Sequence, residues 1–352
     1  MALSENQLLM LNILMFTDYI KNGITVQEIA CRIESDLNSN KNINACRMNA
    51  GEWRSLADMV KRQSDLLPYC VQHYKDDPDS TQEVACFVDD PVNPQDIIIV
   101  FKGTCQNDEW FDNAMGCYQP DTEKQIEAVE YVDRLPEHYG NNMTATGHSK
   151  GGNKAQYITI VTNRIGRCVS FDSQGFSKSF LQKYADEISE KSNRIIVISA
   201  ADDYVNSTLF PIPGKRVYLE SDINNVNHYI EFHKPNVLLN KSGELNLLKE
   251  QSKFPKRISE YCTYVLSNYK DFKKGDDIGD LMAFLDTVRN VHTKLGRRFL
   301  QPIWDFFMVF VFLFIIIPIK MPSAIGKGSR LVLSYISANT EYLKARHHES
   351  KS

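Results

Sequence analysis

Ala145-Thr-Gly-His-Ser-Lys-Gly-Gly-Asn-Lys154 is the stretch on which the reading of this chain turns. It contains Gly147-His148-Ser149-Lys150-Gly151, the G-x-S-x-G spacing of a serine held on a tight turn between strand and helix. Such a turn strains the backbone and lifts the hydroxyl clear of the sheet. Glycines two before and two after the serine let strand and helix pass close to one another. The flanks fit that arrangement. Met143-Thr-Ala-Thr146 predicts a short strand, and Gly152 to Val161 a helix with Ala155, Ile158 and Thr159 on one side.

Outward from this turn, strands and helices alternate. Ile97-Ile-Ile-Val-Phe101 is a continuous apolar run, the signature of a strand buried on both faces, and it ends in Lys102-Gly-Thr104. Tyr69 to Tyr74 and Glu83 to Val88 read as shorter strands before it. Asp121-Thr-Glu-Lys124 caps a helix whose buried side is expected to carry Ile126, Val129, Val132 and Leu135. Beyond the serine, Cys168 to Phe171, Arg194 to Ser199 and Arg216 to Leu219 read as strands, and Ser177 to Lys191 as a helix. The pattern predicts an α/β domain over 69–245 with a mainly parallel sheet and helices on both faces.

Residues 1–68 read as a helical N-terminal cap. Leu8, Leu9, Leu11, Leu14 and Met15 share a helix face, Thr25 and Glu28 form a capping box, and Asn49 opens a third helix carrying Trp53, Leu56 and Met59. Residues 246–352 read as a helical C-terminal region containing a hydrophobic segment, 299–319. Arg297 and Arg298 precede that segment, and Lys320, Lys327 and Arg330 follow it. Its length suits a bilayer crossing, although Gln301 and Asp305 lie in its first third and the uncharged core from Phe306 is short. Membrane insertion is one reading; a buried helix or a surface for a protein partner is the other.

Composition narrows the classes. With 43% hydrophobic residues in 352, the chain can bury a sizeable core, and a net charge of −4 gives no support for nucleic-acid binding. The eight cysteines include no C-x-x-C pair, so a zinc site is not expected, and hydrolysis by a serine nucleophile would need no cofactor. Cys86 and Cys168 read as small core residues, as in a protein made in a reducing compartment. Glu5 and Asp18 flank the first apolar residues, and no basic region precedes them, so no standard signal peptide is read.

A serine nucleophile needs a base to take its proton and an acid to orient that base. The strand ending at Ser199 runs into Ala200-Ala-Asp-Asp-Tyr-Val205, which places Asp202 and Asp203 at a strand's carboxyl end. Asp172, after the strand that follows the serine's helix, is a further acid candidate. His228 and His233 follow, in Asn227-His-Tyr-Ile-Glu-Phe-His-Lys-Pro235. His233 is preferred as base because Pro235 enforces a turn beside it, and His228 remains the alternative. His148 is read as packing or touching substrate, and His73 and His138 as structural. Lys150 holds either a carboxylate or an anionic part of the substrate, or is solvated.

Three ordered segments carry a resemblance. Ile99-Val-Phe-Lys-Gly-Thr104 with Glu109-Trp-Phe-Asp-Asn113 resembles the F-R-G-[ST]…W…N segment of the class 3 (fungal-type) lipases. Gly147-His-Ser-Lys-Gly-Gly152 resembles their G-H-S-x-G-G turn, and Asp203-Tyr-Val205 their D-x-V. The run to Asn153 is also similar to a group of bacterial lipase-like hydrolases. Lys102 stands where the family has Arg, and the histidine follows Asp203 more closely than in fungal lipases. The resemblance implies an α/β-hydrolase fold and cleavage of acyl esters, often lipids. Ser149 would be nucleophile, Asp203 acid, and Thr104 with the Lys150 backbone N–H the oxyanion hole. Trp110 and Phe111 would lie where lipases carry a lid. The expected substrate is a lipid acyl ester, as for a lipase or phospholipase A, with the protein membrane-associated or secreted. A small-acyl esterase or thioesterase, a secreted toxin and an inactive hydrolase-like binding protein are the rivals.

Overall fold

Five-residue Ile97–Phe101 (β3) lies near the middle of a seven-stranded sheet and is buried along its whole length. The computed structural model describes residues 2–268, apart from 44, 77–82, 104–111, 114 and 222–228. The strands are Cys70–Asp76 (β1), Glu83–Val88 (β2), β3, Met143–His148 (β4), Ile165–Phe171 (β5), Ile195–Ala200 (β6) and Lys215–Leu219 (β7). They lie side by side in chain order. The β1–β2 and β2–β3 pairs are antiparallel; β3 to β7 are parallel. This is an α/β fold with a mainly parallel sheet and helices on both faces. The sequence-predicted strands agree with it to within a few residues.

Chain-order strands have a consequence for the layers. Parallel strands that advance in one direction through crossovers of one hand stack those crossovers on a single face. Accordingly Glu123–Asp133 (α4), Lys150–Val161 (α5), Lys178–Lys183 (α6) and Ala185–Lys191 (α7) share one core with Cys86, Ile97, Ile99, Phe101 and Ala145. The other face would be bare. It is covered by Glu5–Leu14 (α1), Val26–Asn38 (α2) and Ala50–Lys61 (α3), whose apolar residues meet Phe87, Ile98, Val100, Val169 and Ile198. Strand period two explains the division, since Ile98 and Val100 face one layer and Ile97, Ile99 and Phe101 the other.

Helix α1 is apolar all round because it lies between the sheet and its neighbours. Leu8 to Leu11, Ile13 and Leu14 are wholly buried. Each such leucine contributes about 1.5–3 kcal/mol relative to exposure. Asn12 on the same helix donates to Thr146 Oγ1 of β4 at 2.8 Å, and Asn6 donates to the Gly243 carbonyl at 2.9 Å. Capping boxes at Thr25/Glu28 and Asn49/Glu52 start α2 and α3, as the sequence implies.

Two expectations change. Ile126 is 47% exposed. The buried side of α4 is Lys124, Gln125, Ala128, Tyr131 and Val132. Polar anchors set the rotation of this helix: Gln125 Nε2 donates to Asn153 Oδ1 at 2.8 Å, and the Lys124 N–H to Asp112 Oδ1 at 3.0 Å. The helix expected over 177–191 is two short ones meeting at Tyr184, whose hydroxyl donates to Asp121 Oδ1 at 2.6 Å. At the C-terminal end Lys253–Asn268 (α8) closes the described chain. No helix of the described residues is long and apolar enough to cross a membrane. The hydrophobic segment 299–319 lies outside the described residues.

Candidate active site

Ser149 stands between β4 and α5 with φ 58° and ψ −125°, a left-handed geometry that costs a non-glycine residue on the order of 1–3 kcal/mol. Its N–H donates to the Phe171 carbonyl at 2.9 Å, which ties the turn to β5. The two motif glycines are sterically required. A Cβ on Gly147 would lie 2.1 Å from the Gly151 carbonyl carbon, and one on Gly151 would lie 2.1 Å from the Phe101 carbonyl oxygen. The helix begins at Lys150, two residues earlier than the sequence suggested.

The base and acid candidates come from the carboxyl-end loops of later strands. His233 closes a short helical turn over Tyr229–His233, and its Nε2 lies 2.9 Å from Ser149 Oγ. Its Nδ1 lies 3.2 Å from Asp203 Oδ2, at ion-pair distance but out of line for a hydrogen bond. Such contacts often tighten only when substrate is bound. Asp203 follows β6 and is wholly buried. Its carboxylate accepts from the Val205 N–H at 3.0 Å, the Asn206 N–H at 3.1 Å and Asn206 Nδ2 at 3.1 Å. The loop bearing His233 is anchored from the other layer. Glu52 of α3 accepts from Lys234 Nζ at 3.2 Å and from Asn236 Nδ2 at 3.1 Å.

The other acids go elsewhere. Asp202 turns to Lys249, 3.1 Å away, and to the Ser252 hydroxyl. Asp172, at φ 45° directly after β5, points to His148 rather than to His233; His148 Nε2 and Asp172 Oδ2 are 3.9 Å apart. Asp172 Oδ1 accepts from the Ala200 N–H at 2.8 Å, while Oδ2 has no hydrogen-bond partner. Burial, with the Asp203 carboxylate beside it, pushes the Asp172 carboxyl well above the usual range. His148 is buried, and its ring lies 4.7 Å from that of His233. Burial, then the neighbouring His233, hold its pKa well below that of a free imidazole, although a contact with the His233 backbone opposes this.

Lys150 is only 1% exposed, and its Nζ lies 2.6 Å from Asp112 Oδ2. Burial alone would raise the Asp112 carboxyl; the Lys150 ammonium and hydrogen bonds from Lys124 N–H and Thr122 Oγ1 outweigh it and leave it lowered. Of the three readings for Lys150, the carboxylate partner is the one found. Asp112 was missed in the sequence because nothing local marks it as the partner of a residue so far along the chain. His73 and His138 both lie against Tyr139. Cys86 and Cys168 are buried. His228, Thr104, Trp110 and Phe111 lie outside the described residues, so the alternative base, the side-chain half of the oxyanion hole and the lid segment have no described geometry.

Serine, histidine and aspartate are thus in reach of one another in the order that proton transfer from a hydroxyl requires. Among solved structures, the chain is similar to the lipase–propeptide complex of Rhizomucor miehei, with 11% identity, TM-score 0.36, and 70% of this chain and 81% of that one covered. It is also similar to the Lip2 lipase of Yarrowia lipolytica, at 16% identity and TM-score 0.34 over 47% and 69% of the two chains. The extracellular lipase LipA of Serratia marcescens gives 16% identity and TM-score 0.30 over 57% and 40%. No curated protein matches the chain. The Mbeg1-like family profile matches residues 64–265, more than half of the chain, and this protein belongs to the Mbeg1-like family.

Proposed function

We propose that the protein is a serine ester hydrolase acting on lipid acyl esters, of the lipase or phospholipase A type. The observation that supports this most directly is the 2.9 Å contact between His233 Nε2 and Ser149 Oγ. In the proposed cycle Nε2 takes the hydroxyl proton as Oγ attacks the ester carbonyl. Asp203 orients the ring and balances the imidazolium that forms. The oxyanion is stabilised by the Lys150 backbone N–H at the start of α5 and by Thr104, each donor worth about 3–4 kcal/mol. His233 then returns the proton to the leaving alcohol, and water releases the acyl group by the same steps in reverse.

The apolar run 299–319 favours lipid over a small acyl ester and supports membrane contact through that segment. The test has two stages. A fluorophosphonate probe should label the full chain and fail to label Ser149→Ala; absence of labelling removes the hydrolase reading. Phosphatidylcholine vesicles, triacylglycerol emulsion and p-nitrophenyl butyrate should then be compared. Turnover of the short ester alone would keep the hydrolase and remove the lipid substrate. Flotation with the same vesicles tests membrane contact, and a chain that stays at the bottom of the gradient counts against it.

A further inference from the structure

We propose that His148, Asp172 and His233 form a site for a divalent transition-metal ion, with Zn2+ as the best-suited ion, and that filling it takes His233 out of the serine–histidine–aspartate arrangement. One donor atom from each of the three lies within 4.8 Å of the other two. Around a tetrahedral zinc, donors 2.0–2.1 Å from the ion sit about 3.3 Å apart. His148 Nε2 and Asp172 Oδ2, at 3.9 Å, are already close to that spacing. Two imidazoles and one carboxylate suit zinc rather than magnesium or calcium.

The donors themselves supply the second argument. Both ring nitrogens of His148 and the outer oxygen of Asp172 are buried with no hydrogen-bond partner, in residues 4% and 0% exposed. Orphaned buried polar groups of this kind destabilise the folded chain. A bound cation would relieve one ring nitrogen of His148 and the Asp172 oxygen at once. Its charge would be favoured further by Asp203, whose carboxylate bears electrostatically on Asp172. An ion could enter from the side of His233, which is the part-exposed member of the trio.

The consequence follows from the valence of one ring. His233 has two nitrogens, one facing Ser149 and one facing Asp203. Whichever of them binds the ion gives up that contact. Zinc occupancy and the serine–histidine–aspartate arrangement are therefore mutually exclusive. That inhibitory part rests on the hydrolase reading; the binding part does not.

The test separates the two. Zn2+ is titrated into the full-length Ser149→Ala protein against a chelating dye, which needs no activity. One ion per chain is expected, with affinity falling about tenfold to a hundredfold or more in Ser149→Ala combined with His148→Gln or with Asp172→Asn. In the active protein, Zn2+ should suppress fluorophosphonate labelling over the same concentration range, and EDTA should restore it. Circular dichroism screens each variant for folding. If one fails to fold, Co2+ replacing Zn2+ in the unmutated protein supplies the second readout, through the absorption bands of a tetrahedral nitrogen–oxygen site. Absence of binding, as when a single ordered water bridges His148 and Asp172, overturns the proposal. So does binding unchanged by both substitutions, as would be given by His347 and His348. Binding without any hydrolase activity would leave this site standing and remove the proposed function instead.

Discussion

Two histidine–aspartate pairs sit side by side at the carboxyl ends of β4, β5 and β6. The two rings are 4.7 Å apart, yet the pairs differ in almost every respect that matters for proton transfer. Asp203 accepts three hydrogen bonds and has an imidazole nitrogen 3.2 Å away. Asp172 accepts one, and burial drives its carboxyl toward the neutral form. His233 is part-exposed and in reach of a hydroxyl, whereas His148 is sealed beneath it with Phe16 at its edge. The same two residue types make a candidate relay in one place and a strained, unsatisfied cluster in the other. Hydrogen-bond satisfaction and access to solvent, rather than residue type, separate them.

The sharpest way to break this contrast is to remove the exposed pair. Ser149→Ala and His233→Ala should each lower acyl-ester turnover by about five to six orders of magnitude with unchanged circular dichroism, since members of a shared proton-transfer unit fail together. A His233→Ala protein that keeps substantial turnover would move the role to His228. Asp203→Asn should cost about four orders of magnitude in kcat, and Asp172→Asn no more than about one. The reverse ranking, read from the same kinetics, would mean that the buried pair does the orienting.

Smaller changes sharpen it. Asp112→Asn should destabilise the fold, by up to about 3–5 kcal/mol in urea melts, because the buried Lys150 ammonium loses the Asp112 carboxylate. The Asp112 carboxyl is held below its unfolded value, so its contribution is complete above about pH 4 and is lost as pH falls through the lower folded value. The deficit of the variant should therefore shrink in strongly acidic buffer, and a deficit independent of pH would contradict the ion-pair account. Glu52→Ala, which frees the loop bearing His233, should reduce kcat about two- to fivefold with little change in KM. Asp202→Asn should stay within about twofold of the parent, since that carboxylate faces Lys249 at the surface.

What could be read in the sequence follows range. The Ser149 turn, the β3 run and the capping boxes at Thr25 and Asn49 are local patterns, and each is found where the pattern places it. Partners far apart in sequence were not legible. Lys150 meets Asp112, Gln125 meets Asn153, and that second bond turns α4 so that Ile126 faces solvent. Periodicity placed Val132 on the buried side of α4 but could not weigh a buried amide on the same helix. The acid beside His233 was separable from its neighbour only in three dimensions, since Asp202 and Asp203 are adjacent and point to opposite partners. The proposed metal-binding trio was invisible for the same reason. Its three residues come from the end of β4, the bend after β5 and the turn over Tyr229–His233, and have none of the short spacing that marks a metal motif.

The chain-order sheet also carries a consequence in time. The apolar helix Glu5–Leu14 is synthesised well before the strand it hydrogen-bonds, Met143–His148, which emerges roughly 130 residues later. At about 5–20 residues per second the ribosome needs on the order of ten seconds to bridge that gap. Throughout that interval this largely apolar helix lacks the β4 strand that completes its packing. The growing chain must shelter it by other means, through its sister helices or a chaperone, and the nascent protein is most exposed to aggregation before the residues of its candidate site have been made.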